Sequence, residues 1–161
     1  MSNSLAPFVP TQNDIVKKML ELVQVNSDDV LFDLGCGDGR ILFAAVKDFG
    51  AKKAIGYEIR KDLYDGVLQE IKKQNLEHRI VVFNDNLLNA KLTEATVITL
   101  YLTNSGNNEL RQKLIEEAKP GTRIVSNSFD FTGWSYYKKE EIDWHTLYLY
   151  TIPEAFIKRK R

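Results

Sequence analysis

The sequence holds a single cysteine and only two histidines, His78 and His145, in 161 residues. One thiol makes no internal disulfide, and with two imidazoles it makes no zinc site at recognisable spacing. No disulfide or metal is therefore expected to support the fold or the chemistry. A surplus of charge is also missing, because 22 basic and 22 acidic side chains cancel to a formal net charge of zero. Proteins that grip nucleic acid through phosphates usually carry a basic excess, so no stable nucleic-acid partner is expected. The one basic cluster, Lys158-Arg159-Lys160-Arg161, reads as a frayed, solvated tail. Long apolar runs are absent too. The stretch Val97-Ile98-Thr99-Leu100-Tyr101-Leu102 is too short to span a bilayer, and Met1-Ser2-Asn3-Ser4-Leu5 lacks a basic segment leading into an apolar core. The expectation is a cytoplasmic monomer that stays off membranes.

Apolar residues at 43% and charged residues at 27% are globular proportions, and the length suits one domain over residues 1–161. Thr11 followed by Asp14 resembles a helix start. Ile15, Met19, Leu22 and Val23 then recur at helical spacing until Asn26-Ser27-Asp28, which places an amphipathic helix within residues 1–28. Residues 29–34 read as an apolar strand, a glycine-rich turn follows, and Ile41, Leu42, Ala44, Ala45 and Val46 begin a helix that Gly50 can end. Strands at 53–58, 80–84, 95–102 and 123–128 continue the pattern. A helix through Leu63, Val67 and Ile71 ends near Asn75, and another, capped by Asn107 or Asn108, carries Leu110 and Leu114 and closes at Pro120-Gly121. Strands alternating with helices predict an α/β, Rossmann-like, mostly parallel sheet with helices on both faces. Residues 144–152 lack a preceding helix and are expected to pair antiparallel with 136–142 as a C-terminal hairpin.

The turn after the first strand is Asp33-Leu34-Gly35-Cys36-Gly37-Asp38-Gly39-Arg40. It has no Gly-Lys-Ser/Thr ending, which argues against a nucleoside triphosphate loop. Its glycines also miss the dinucleotide spacing, since Arg40 stands where the third glycine would fall. A pyrophosphate wants amides and little nearby negative charge, whereas this loop carries Asp33 and Asp38, which suit a cation. S-adenosylmethionine carries both an ammonium and a sulfonium. Gly35 and Gly37 let a ligand approach the backbone closely. Glu58, 23 residues after Gly35 at the end of the second strand, is placed to accept from both ribose hydroxyls. Asp85, ending the third strand, and Asn86 are the candidates for adenine, with Asn84 an equal amide source. Strand ends in an open sheet share one edge, so Asp33, Glu58 and Asp85 would line one crevice in the order amino-acid part, ribose, adenine. Asp38 serves either the cation or the turn, and Arg40 either the site or the helix surface. Cys36 has no visible activating partner and reads as a small loop residue.

With these residues in place, the chain resembles a class I S-adenosylmethionine-dependent methyltransferase. More narrowly, it resembles the small archaeal protein-lysine methyltransferases and their mitochondrial relatives. Beyond the loop, the likeness rests on Phe8-Val9-Pro10-Thr11, Val97 to Leu102, residues 119–126, and Phe129 with Gly133-Trp134, so it covers nearly the whole chain. It implies that residues 9–11 fold over the cofactor, with Thr11 approaching the methionine carboxylate unless it only caps the first helix. It also implies methyl transfer to lysine ε-amines of protein substrates. Relatives have a histidine after the serine matching Ser126, where this chain has Asn127.

Methyl transfer is an in-line displacement, so the protein must align the acceptor, exclude water and help a lysine shed its proton in a dry, aromatic vestibule. Tyr101, at the carboxyl end of the fourth strand, is the catalytic candidate through its hydroxyl, its ring face or both. Asn104, Ser126, Asn127, Phe129 and Trp134 are the acceptor-channel candidates, although Trp134 equally suits a sheet-edge cover. No Asn/Asp-Pro-Pro-aromatic segment follows the fourth strand, which argues against a nucleic-acid amine methyltransferase. The competing expectations are a small-molecule methyltransferase and a noncatalytic cofactor-binding module.

Overall fold

A computed structural model describes residues 5–157. The basic cluster at residues 158–161 lies outside them. The strands are β1 (Val30–Leu34), β2 (Lys53–Tyr57), β3 (Ile80–Phe83), β4 (Val97–Leu100), β5 (Arg123–Asn127), β6 (Lys138–Ile142) and β7 (His145–Thr151). The helices are α1 (Asn13–Leu22), α2 (Arg40–Lys47), α3 (Lys61–Lys73) and α4 (Asn104–Glu117). The seven strands form one sheet in the order β3-β2-β1-β4-β5-β7-β6. The first five are parallel, and β7 runs antiparallel to both β5 and β6, so the expected α/β architecture and C-terminal hairpin are both present. The strand order reverses between β1 and β4, and ligands of such sheets sit in the crevice outside the carboxyl ends at that switch.

Successive side chains of a strand point to opposite faces, which divides the core in two. Leu31, Val97, Val125, Leu147 and Leu149 face one layer with α1, α2 and α3. Phe32, Leu34, Ile98, Leu100, Ile124 and Tyr150 face the other with α4 and the short 3-10 turns. Both layers are closed to solvent, so the five parallel strands read as nearly continuous apolar runs, as a sheet covered on both sides requires.

Three local expectations differ from the structure. The first helix begins at Asn13 behind Gln12, with no side-chain cap. Thr11 is buried instead, and its carbonyl accepts a hydrogen bond from Arg40 Nη1 at 2.8 Å, which draws it away from the cap position. The fourth helix is capped by Thr103, whose hydroxyl accepts from the Gly106 amide at 3.0 Å, and it starts at Asn104 rather than after Asn107. Its first turn, Asn104-Ser105-Gly106-Asn107-Asn108, is made of poor helix formers that conceal it from periodicity. The fourth strand is four residues, not eight, because both neighbours end their pairing at Leu100 and the chain then turns to enter α4.

At the amino edge of the sheet, Asp29 is buried and accepts from Arg123 Nη2 at 2.6 Å, Thr96 Oγ1 at 2.8 Å and the Asn26 amide at 2.9 Å. Arg123 Nε also donates to the Val23 carbonyl at 2.8 Å. This cluster ties the end of α1 to the starts of β1, β4 and β5, far from the carboxyl edge. Removing one partner of a buried pair leaves the other charge uncompensated. Arg123→Ala is therefore expected to lower stability by roughly 3 kcal/mol in urea unfolding, with cofactor affinity of the folded protein unchanged.

Candidate active site

The carboxyl ends of β1 to β4 open into one cleft. Its walls include Asp33, Gly35, Gly37, Glu58, Asp85, Asn86 and Tyr101, with Thr11 above them in the segment that precedes α1. Including its open mouth, the cleft holds about 800 Å³. Thr11, Asp33, Gly35, Gly37, Glu58, Asp85 and Asn86 therefore line the same space, together with Tyr101, whereas Asn84 does not.

The loop after β1 folds through left-handed glycines, with φ of 89° at Gly35, 57° at Gly37 and 83° at Gly39. The amides of Gly35 and Cys36 donate to the Tyr57 carbonyl at 2.9 and 3.0 Å, which hangs the loop on the end of β2. Glu58 completes the attachment: its Oε1 accepts from the Gly37 amide at 2.8 Å and its Oε2 from the Arg60 amide at 2.9 Å. Each carboxylate oxygen keeps a further lone pair. A Cβ on Gly37 would strike the Phe8 ring, with Phe8 Cδ2 only 2.9 Å away, so the glycine is required by the segment crossing above it.

That crossing segment forms a strap over residues 5–11. The Leu5 carbonyl accepts from Thr103 Oγ1 at 3.2 Å, Phe8 lies on Gly37, and Arg40 grips the Thr11 carbonyl. The Arg60 guanidinium stands 6.0 Å from the centre of the Phe8 ring. Leu5, Phe8, Arg40 and Arg60 were not sequence candidates for this covering role, since only a chain that doubles back over the loop brings them to it.

The cleft's charge is less simple than a run of acids. Arg40 donates to both carboxylate oxygens of Asp38 and holds that carboxyl below its usual range, so Asp38 is compensated. Asp33 is not. Only 4% exposed, it accepts from Thr99 Oγ1 at 2.9 Å. Burial pushes its carboxyl up to about 8; the Thr99 hydrogen bond opposes this, and the charges of Glu58 and Asp38 add to it. Burial likewise pushes the Cys36 thiol up, and its sulfur lies within 2.7 Å of where a Gly56 Cβ would stand, so it packs as a thiol rather than reacting as a thiolate. Asn84 donates to the Glu58 and Ile59 carbonyls at 3.0 and 3.2 Å, whereas Asp85 and Asn86 face the cleft. Asp85 Oδ1 accepts from the Asn86 amide and Asn89 Nδ2, and Asn86 Oδ1 caps the next turn through the Leu88 amide.

The acceptor candidates are spread more widely. None of Asn104, Ser126, Asn127, Phe129 and Trp134 lines the cleft wall. Asn104 is exposed at the start of α4. Ser126 lies on the α4 face, where Asn107 Nδ2 donates to it at 3.3 Å and its own hydroxyl donates to the Phe129 carbonyl at 2.5 Å. Trp134 stacks on Phe131 with ring centres 4.5 Å apart and meets Tyr150 and Phe156, covering that layer. Asn127, one residue after Ser126, falls on the opposite face and is fully buried. His145 Nδ1 donates to its Oδ1 at 2.9 Å, and the imidazole meets the Tyr101 ring edge-on at 6.0 Å between centres. An imidazole thus stands beside the Asn127 position, supplied by β7. Its sequence signal was faint: a lone histidine at the head of the last strand.

Tyr101 is half-buried, and no hydrogen bond to its hydroxyl is formed among the described residues.

A family model described as the ANTKMT methyltransferase domain matches residues 33–138, from Asp33 to the first residue of β6. The chain belongs to this methyltransferase family. The enzyme is 43% identical to a protein-lysine N-methyltransferase from Saccharolobus islandicus strain REY15A, over 92% of this chain and 94% of that one. It is 27% identical to the adenine nucleotide translocase lysine N-methyltransferase of Mus musculus, over 80% of this chain and 55% of the relative. Among solved structures, an RNA methyltransferase from Salinibacter ruber in complex with S-adenosyl-L-homocysteine superposes with a TM-score of 0.87. That protein is 40% identical, and the match covers 91% of this chain and 95% of that one. The methyltransferase is thus a class I, S-adenosylmethionine-dependent enzyme, and among the described residues no helix is long and apolar enough to cross a membrane.

The raised Asp33 carboxyl gives the cofactor-free enzyme a pH signature. The native state keeps a proton that the unfolded chain, at an ordinary value of 3.8, has released, so stability falls as pH rises from there towards about 8. Thermal unfolding midpoints are expected to decline from pH 5 to pH 8 in the wild type, and much less in Asp33→Asn. Equal slopes would contradict the assignment.

Proposed function

We propose that this methyltransferase transfers methyl groups from S-adenosylmethionine to the ε-amine of lysines in protein substrates. The observation that carries the reading is its 43% identity to a protein-lysine N-methyltransferase along nearly the full length of both chains. In this reading the enzyme works as a cytoplasmic monomer, with no stable hold on nucleic acid or membrane.

The cleft's donors and acceptors suit the cofactor. Asp33, a buried carboxyl with no compensating cation among the described residues, regains its charge beside an ammonium. Glu58, already bonded to two backbone amides, has lone pairs left for two ribose hydroxyls. Gly35 and Gly37 permit close approach, Asp85 and Asn86 offer polar atoms to an adenine edge, and Thr11 stands over the amino-acid end. When bound, S-adenosylmethionine supplies a methyl group on a positively charged sulfonium leaving group. The protein's own work is positioning. The strap closes the cleft against water, which strengthens every polar contact inside. Tyr101 offers a hydroxyl that no described residue engages and a ring face that favours an ammonium, so it orients the incoming amine and accepts its developing charge. His145, fixed by Asn127, holds the Tyr101 ring from its edge. Asn104 and Phe129, outside the cleft wall, are left to the outer approach of the acceptor in this reading, while Ser126 and Trp134 brace the layer on the α4 face.

RNA is the second reading, favoured by the Salinibacter ruber relative's description as an RNA methyltransferase. Against it stand the zero net charge and the sequence Leu100-Tyr101-Leu102-Thr103-Asn104, which has no rigid proline pair for gripping a base. Incubating the pure enzyme with radiolabelled S-adenosylmethionine and a cell extract, then mapping the label by mass spectrometry, separates the readings. Methyl-lysine in proteins is expected, and label confined to RNA or metabolites would overturn the proposal. Tyr101→Phe should slow turnover roughly tenfold, equivalent to about 1.4 kcal/mol of barrier, while calorimetry finds cofactor affinity within twofold of wild type.

A further inference from the structure

We infer that the tip of the β6–β7 hairpin, built around Trp144, is the docking surface for the polypeptide that carries the acceptor lysine. This inference rests on the lysine reading above. Trp144 is 97% exposed, an unusual state for the largest apolar side chain. It is held there by construction. Ile142 pairs with His145, so Asp143 and Trp144 form a two-residue turn, with Asp143 at a φ of 52°.

The turn stands on the same edge of the sheet as the cleft. Asn127, the last residue of β5, pairs with Leu147, so β7 extends beyond it and lifts Trp144 about 10 Å past the end of β5, at roughly 3.3 Å per residue. The next residue, His145, meets the ring of Tyr101 in the cleft wall. The tryptophan is thus one residue removed from the group that touches the reacting end of the cleft, on the side away from the β2 and β3 ends.

Charge selects a lysine-bearing polypeptide over RNA. Lys138 and Lys139 pair with Glu140 and Glu141 at 3.5 and 3.9 Å, whereas Asp143 forms no ion pair among the described residues. The tip therefore presents one uncompensated carboxylate beside an indole face. That combination attracts ammonium groups, through the carboxylate and through the ring's π face, and repels phosphates. A single tryptophan anchor near a binding site also has the character of an interface hot spot.

The test uses the full-length enzyme and the extract protein that takes up most label, purified as acceptor. Trp144→Ala is expected to raise KM for that protein about tenfold, with kcat at saturation and cofactor affinity within twofold of wild type, and Trp144→Phe is expected to restore most of the loss. Iodide should quench Trp144 fluorescence in the free enzyme and lose that access when acceptor protein and S-adenosylhomocysteine are added. An unchanged KM, or parallel loss of kcat and cofactor affinity, would overturn the inference. Label entering RNA instead, with that RNA protecting Trp144 from iodide, would replace the polypeptide by a nucleic acid. No labelled macromolecule at all would bring down the lysine reading and this surface together, whereas labelled protein with an indifferent Trp144 would bring down only the surface.

Discussion

A carboxyl buried at the end of β1, with no cation paired to it among the described residues, is the constraint around which the carboxyl edge is organised. Asp33 faces Thr99 across the switch point and shares its surroundings with Glu58. The nearby guanidiniums are engaged elsewhere: Arg40 holds Asp38 and the Thr11 carbonyl, and Arg60 holds Asp62. The fold thus keeps an acidic hollow that the described basic residues do not fill, and it tolerates the cost by holding the proton to higher pH. Such a hollow favours a ligand that brings its own positive charge.

The second organising fact is the two-residue period of the strands. Thr99, Tyr101, Asn127 and His145 fall on the face shared with α1, and Ser126 falls on the face shared with α4. Adjacent residues of one strand therefore serve different layers. Asn107 makes the division firm: from inside α4 it donates to Ser126 Oγ and to the Phe129 and Asp130 carbonyls, bracing the segment that leaves β5.

Much of this was legible in the residues. Strand and helix alternation, the glycine loop and the acidic ends of the first three strands are local signals, and they led to the sheet, the hairpin and the cleft-lining set from Thr11 to Tyr101. The misplaced features depend on contacts distant in sequence. Thr11 read as a cap because its partner, Arg40, is 29 residues away. Asn107 read as a cap because nothing local says that it lies buried against β5. His145 was passed over because its partners, Asn127 and Tyr101, come from two other strands. Ser126 and Asn127 were grouped by proximity along the chain, which a pleated strand converts into opposition.

The strap carries a different kind of information. Thr103 and Arg40 both take hold of it by main-chain carbonyl oxygens, at Leu5 and Thr11, and those oxygens are the same whatever side chains the residues bear. Closure over the cleft is therefore encoded mainly as a length. The two grips themselves ask nothing of side-chain identity, but adding or removing a residue between them would shift the Phe8 ring off Gly37 and leave the opening unsealed.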